Sequence, residues 1–198
     1  MKKSVDHTAR KKEIITQSIR LFAEVGYKDV SFREISERCG ISRTILYRYF
    51  RNKRQIFDTA IVFLMDTVVQ RHKAIVHSKQ PVAVRLREIC TMVTAQMFDN
   101  REFLCVILDF LLSLKRGGFD PTRRILKFTI GLKRIVHTLL VLGIHKGEFR
   151  PDVNAELFTD LIYAQFESLV LRLTVSGDAT LADVLARMTE VLKSLEKK

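Results

Sequence analysis

A chain of 198 residues, 47% of them hydrophobic, has enough apolar surface to build one or two domains around a sizeable core, which excludes a disordered protein. Its formal net charge is +12, and residues 1–54 hold 14 Lys and Arg against 6 Asp and Glu, so the excess is concentrated in the first quarter and points to a polyanionic partner. No apolar segment follows the charged run Lys2 to Lys12, and the run Phe103 to Leu114, broken by Asp109, is too short for a bilayer; a cytoplasmic protein with neither secretory signal nor membrane partner is expected.

The first predicted helix, Thr8 to Val25, places Ile15, Ile19 and Phe22 on one face and ends at Gly26. Ser31 followed by Glu34 is a capping box, in which the serine oxygen takes an orphan backbone N–H and the glutamate reaches back to the cap, so a second helix starts there. Ile35 and Cys39 give it an apolar edge, and Gly40 supplies the positive φ at which the chain reverses. Ser42 caps a third helix, with Leu46 and Phe50 facing inward, Thr44, Ile45 and Arg48 facing outward, and Tyr47 and Tyr49 on its flanks. Two capped helices around a glycine turn read as a helix-turn-helix. A basic, aromatic outer face suits a major groove, where arginine reads guanine edges and tyrosine hydroxyls reach phosphates.

From the segment LFAEVGY, through Ser31 to Gly40, to the pattern IS-x-x-x-LY-x-YF-x-NK over Ile41 to Lys53, the chain resembles the DNA-binding domain of the TetR family of transcriptional regulators. The resemblance covers about the first quarter and implies DNA contacts from Arg33, Ser42, Arg43, Thr44, Tyr47, Arg48, Tyr49 and Lys53. It has one departure. Ile45 stands where the family usually has a small or hydroxylated residue, and an isoleucine there suits a thymine methyl rather than a phosphate.

Asn52 is placed to cap a fourth helix, Lys53 to about His77, with Phe57, Ile61, Leu64, Val68 and Ile75 at helical spacing and a length of roughly 36 Å. The next helices follow from Leu86, Ile89, Val93 and Met97, then from Phe103, Ile107, Phe110 and Leu114, closed by Gly117 and Gly118. Phe128, Leu132, Ile135, Leu139 and Leu142 define a seventh helix, Val153 to Val175 an eighth, and Thr180 to Lys197 a ninth. The expected fold is all-α, of about nine helices. Residues 8–68 form a three-helix helix-turn-helix DNA-binding domain with its motif at 31–50, and residues 69–198 a C-terminal ligand-binding and dimerisation domain.

The eighth helix is apolar on more than one side and the ninth alternates by fours and threes, so both need a partner. The plain alternative is that they fill the protomer's own core. The family resemblance implies a homodimer, with an interface expected from Phe158, Ile162, Leu169, Leu181, Leu185, Met188 and Leu192. It also implies a pocket for a small apolar or amphipathic ligand, for which Met97, Phe103, Phe110, Phe128, Thr129, Gln165 and Phe166 are the candidates, although aromatic and Met residues at helical spacing are more often core.

Catalysis finds little support. His72 and His77 are five apart and point away from one another, and the sequence holds no glycine-rich phosphate loop, nucleophile elbow or CxxC, so no metal, cofactor or enzymatic activity is expected. Cys39, Cys90 and Cys105 are odd in number and widely spaced, which suits buried thiols. The sequence therefore reads as a transcriptional regulator, most simply a ligand-released repressor binding a double-stranded, palindromic DNA operator. The alternative is a basic helical interaction protein that meets a protein or anionic surface without reading sequence; Tyr47 and Arg48 beside the capped turn favour the first.

Overall fold

The computed structural model describes residues 2–118, 120 and 122–196, and of these the side chains of all but residues 2–6, 64–71, 73 and 122–128. The side chains of Leu64, Val68 and Phe128, named above, lie outside the described residues. The fold is all-α. Its helices are α1 (Lys2–Val25), α2 (Phe32–Arg38), α3 (Arg43–Tyr49), α4 (Lys53–Val76), α5 (Val82–Asp99), α6 (Arg101–Arg116), α7 (Thr122–His145), α8 (Ala155–Leu171) and α9 (Leu181–Lys193), with a π-helical turn, Arg172–Ser176, after α8.

Local chemistry sets most helix starts. Ser31 Oγ accepts from Glu34 N at 3.1 Å while Ser31 N donates to Glu34 Oε2 at 2.7 Å, completing the capping box of α2. Ser42 Oγ accepts from Ile45 N, Asn52 Oδ1 from Gln55 N, Asn154 Oδ1 from the amides of Glu156 and Leu157, and Thr180 Oγ1 from Asp183 N. Gly40 takes the expected positive φ, +61°, between α2 and α3. The eighth helix does not run to Val175 in one register. Beyond Leu171 the amide of Gly177 reaches back five residues to Arg172 O at 2.9 Å, and the widened turn ends at Gly177.

Two apolar clusters form inside this arrangement. The first holds Ile14, Ile15, Leu21 and Phe22 of α1, Ile35 of α2, Leu46 and Phe50 around α3, and Ile56, Phe57, Ala60 and Ile61 of α4, together with Phe103, Val106 and Phe110 of α6. The second joins α5, α7, α8 and α9 through Leu86, Ile89, Val93, Leu139, Leu140, Ile162, Phe166, Met188 and Leu192. Helix α6, from beyond residue 68, thus completes the core of the amino-terminal head, where it packs on α1.

The end of α9 is pinned to the loop after α7. Arg150 N donates to Leu195 O at 3.0 Å and Arg150 Nε to Ser194 O at 3.1 Å, so the guanidinium covers carbonyls left open by the helix end. Beneath this loop the buried ring of Phe149 lies against Gly143 of α7, where any Cβ would collide with it.

Candidate nucleic-acid interface

The inward residues of α3 decide which residues face outward. Leu46 and Phe50 are buried in the head, Tyr49 is half-buried, and Arg43, Thr44, Ile45, Tyr47 and Arg48 are exposed. Tyr47 is steadied by the ring of Phe32, at 4.7 Å between centroids, and Tyr49 is stacked against His7 at 4.5 Å. Two cations of the outer face, Arg43 and Arg48, stand within two turns of one helix, and Arg51 follows in the next loop. A short helix with exposed guanidinium groups, a hydroxyl and a braced phenol can neutralise phosphates and hydrogen-bond base edges in a major groove.

The remaining predicted contacts divide. Ser42 sits at the cap of α3, its Oγ accepting from Ile45 N at 3.2 Å. Arg33 is exposed on α2 and pairs with Glu37 one turn on, at 2.7 Å. Lys53 is not free for a phosphate, which corrects the sequence expectation. Its Nζ donates to the carbonyls of Tyr27 (2.7 Å), Lys28 (3.0 Å) and Val30 (2.6 Å) and lies 4.7 Å over the Tyr27 ring, so its three protons are committed to the loop between α1 and α2. Partial burial pushes its ammonium below the usual lysine range. At the other end of this loop Arg38 pairs with Glu24, which holds that carboxyl below its ordinary value.

The predicted ligand residues do not form one lining. Phe103 and Phe110 belong to the core of the head, because α6 turns that face to α1 and α4: Phe110 lies 4.7 Å from the Phe57 ring and 4.8 Å from Tyr27, with the Arg54 guanidinium 4.7 Å over its own ring. Met97 and Phe166 pack in the second cluster, and Gln165 and Thr129 are half-buried. Tyr163, which the sequence reading did not single out, hydrogen-bonds Thr129, and burial pushes its phenol up. Lys133 lies 4.7 Å over the Tyr163 ring while pairing with Asp160 at 2.9 Å.

The predicted dimer residues differ in their exposure on the single chain. Ile162, Leu169, Met188 and Leu192 are buried within the protomer, Phe158 and Leu185 are half-buried, and only Leu181 of that set is exposed. The open apolar side of α8 is instead Leu157 (56% exposed), Leu161 (44%), Leu171 (56%) and, in the π turn, Val175 (74%). With Ala164 and Ser168 these positions recur by fours and threes, a signal present in the sequence but masked by the apolar residues on the other sides of the helix.

Cys39 and Cys90 are buried as expected, whereas Cys105 is exposed on α6. Both ring nitrogens of His72, on α4, are buried without a partner among the described residues, and burial lowers its pKa to about 4. Among the described residues no group of His, Cys, Asp and Glu is placed to hold a metal, and no helix is long and apolar enough to cross a membrane.

Residues 14–60, the helices that build this surface, match the family model of bacterial regulatory proteins of the tetR family. The fatty acid metabolism regulator protein of Bacillus subtilis (strain 168) is 20% identical over 158 residues, 80% of each chain. Among solved structures, the ketosteroid transcriptional regulator KstR2 of Mycobacterium tuberculosis shares the fold at TM-score 0.69 and 21% identity over 96% of both chains. FadR from Bacillus subtilis in complex with stearoyl-CoA does so at TM-score 0.74 and 20% identity, over 94% of this chain and 97% of that one. The capped helix-turn-helix and the family match lying upon it show a TetR-type DNA-binding domain over residues 14–60, and the chain as a whole shares the fold of solved transcriptional regulators.

Proposed function

We propose that the protein is a repressor that binds a two-fold operator as a homodimer and is released from it by a small apolar or amphipathic ligand held in the body. The observation that carries the DNA reading is the outer face of α3, where Arg43, Thr44, Tyr47 and Arg48 are exposed together on a helix whose other side is locked into the head. The dimer reading is supported by the open stripe Leu157, Leu161, Leu171 and Val175, since solvated apolar rows of this kind mark surfaces that a partner covers. A second copy presenting the same stripe satisfies it isologously, and a two-fold protein matches a two-fold operator.

The ligand reading is supported by relatives. One was crystallised with stearoyl-CoA and another is a ketosteroid regulator, so a long acyl or steroid-like group is the class we assign. The residues we assign to it are Met97, Thr129, Tyr163, Gln165 and Phe166, which offer apolar walls with a phenol and an amide among them. Release follows from spacing, because two recognition helices enter successive major grooves only when held about 34 Å apart. The contact of α6 with the head, through Phe103 and Phe110, supports α6 beside α4 as a route by which a shift in the body tilts the heads.

The test is a gel shift with the DNA flanking the protein's own gene, with and without long-chain acyl-CoA or steroid acyl-CoA. A specific complex that these ligands dissolve supports the reading. Sequence-indifferent binding favours a basic interaction protein instead.

A further inference from the structure

We infer that each operator half-site carries a thymine whose C5-methyl packs on Ile45, and that this contact sets the base preference there; the inference rests on the DNA-binding reading above. Ile45 is 39% exposed. The exposed large hydrophobic residues described in the head up to residue 61 are Val25, Ile45 and Tyr47. Val25 is the last residue of α1 and not part of the recognition helix, and the Tyr47 ring already leans on Phe32. Ile45 is therefore the one aliphatic side chain displayed by the recognition helix among its described residues.

Its position places it at the bases. It lies in the first turn of α3, beside Thr44 and three residues before Arg48, so it shares their outward arc, and the first residues of a recognition helix are those that meet base edges. Its amide is committed to Ser42 Oγ at 3.2 Å, which leaves the side chain to do the reading. An isoleucine neither donates nor accepts a hydrogen bond, so it contributes nothing at a phosphate or at the polar edge of guanine, adenine or cytosine. The apolar group that B-DNA presents in the major groove is the thymine methyl. A cytosine at the same place offers an N4 amino group instead, whose burial against a hydrocarbon leaves a donor without a partner. A β-branched residue also gains nothing for an exposed helical turn, so helix propensity does not account for it.

The experiment starts from a duplex selected by the wild-type protein from a random pool and replaces its thymines one at a time, in both half-sites together, by deoxyuridine, which removes only the methyl. Affinity is read by fluorescence anisotropy. One symmetric pair of thymines is expected to be sensitive, with a loss of about fourfold per half-site, since a buried methyl is worth about 0.8 kcal/mol and 1.4 kcal/mol is tenfold. Ile45→Ala is expected to bind thymine and deoxyuridine duplexes alike at that position, and Ile45→Val to keep most of the difference, with melting curves showing both variants folded. A thymine that stays sensitive in Ile45→Ala, or no position whose sensitivity depends on residue 45, overturns the inference while leaving the regulator intact. Failure to select any sequence overturns both.

Discussion

The ring of Tyr27, in the loop that joins α1 to α2, meets the ring of Phe110 on α6 edge to face, with centroids 4.8 Å apart. Through this pair, and through Phe110 on Phe57, a helix of the body enters the core of the head. Phe110→Ala is expected to destabilise the protein by about 3–5 kcal/mol, because it opens a cavity where two rings and a guanidinium converge. Phe110→Leu keeps most of the volume and is expected to fold, but to reduce the factor by which ligand weakens operator binding. Thermal melting and operator titrations with and without ligand check the two.

Lys53 separates a structural from a DNA-contacting cation. Lys53→Ala strands the carbonyls of Tyr27, Lys28 and Val30 and is expected to cost about 1–3 kcal/mol of stability, with the salt dependence of DNA binding unchanged. Arg48→Ala is expected to leave stability alone and to narrow the gap between operator and random DNA by about 1–3 kcal/mol. Denaturant melts alongside salt titrations distinguish them.

Much of the head is legible in the sequence because its signals are local. Ser31 with Glu34, Gly40, Ser42 and Asn52 each act within four residues, and each does so in the structure. The body is less legible. Periodicity tells which side of a helix is apolar but not which neighbour covers it, so Phe103 and Phe110 read as ligand walls when they face the head. Helix α8 carries apolar residues on two sides, and nothing local says that Ile162 and Leu169 turn inward while Leu161 and Leu171 turn out. The role of Lys53 is not legible in the sequence, because the three carbonyls that claim its ammonium lie more than twenty residues away and are brought near only by folding.

The two sides of α8 and α9 predict opposite outcomes for the same kind of change. Leu161→Glu with Leu171→Glu places charges on the open stripe and is expected to yield a folded monomer, since the charges stay solvated in the protomer but cost several kcal/mol when a partner buries them. Leu192→Glu buries a charge in the protomer's own core and is expected to prevent folding. Sedimentation and circular dichroism read the difference. A stable dimer of the double variant with unchanged affinity places the interface elsewhere.

His72 predicts a pH dependence. Burial lowers its pKa to about 4 from an ordinary 6.5, so between these values the unfolded chain binds the proton that the folded chain refuses. Its contribution to stability is therefore present above pH 6.5 and is lost as pH falls toward 4, by on the order of 3 kcal/mol. His72→Leu is expected to flatten that part of the curve relative to wild type. Denaturant midpoints from pH 4 to 7 provide the comparison, which cancels the carboxylates common to both proteins.

The measurement that bears most directly on the whole account is selection from a random duplex pool by wild-type protein and by Arg48→Ala, each verified as folded and dimeric. The account predicts that the wild type enriches an inverted repeat whose half-sites are centred about 34 Å apart, and that Arg48→Ala loses preference at the same position in both halves. Enrichment of no sequence by the wild type, or an identical enriched site with both proteins, would contradict the assignment of α3 as the element that reads DNA.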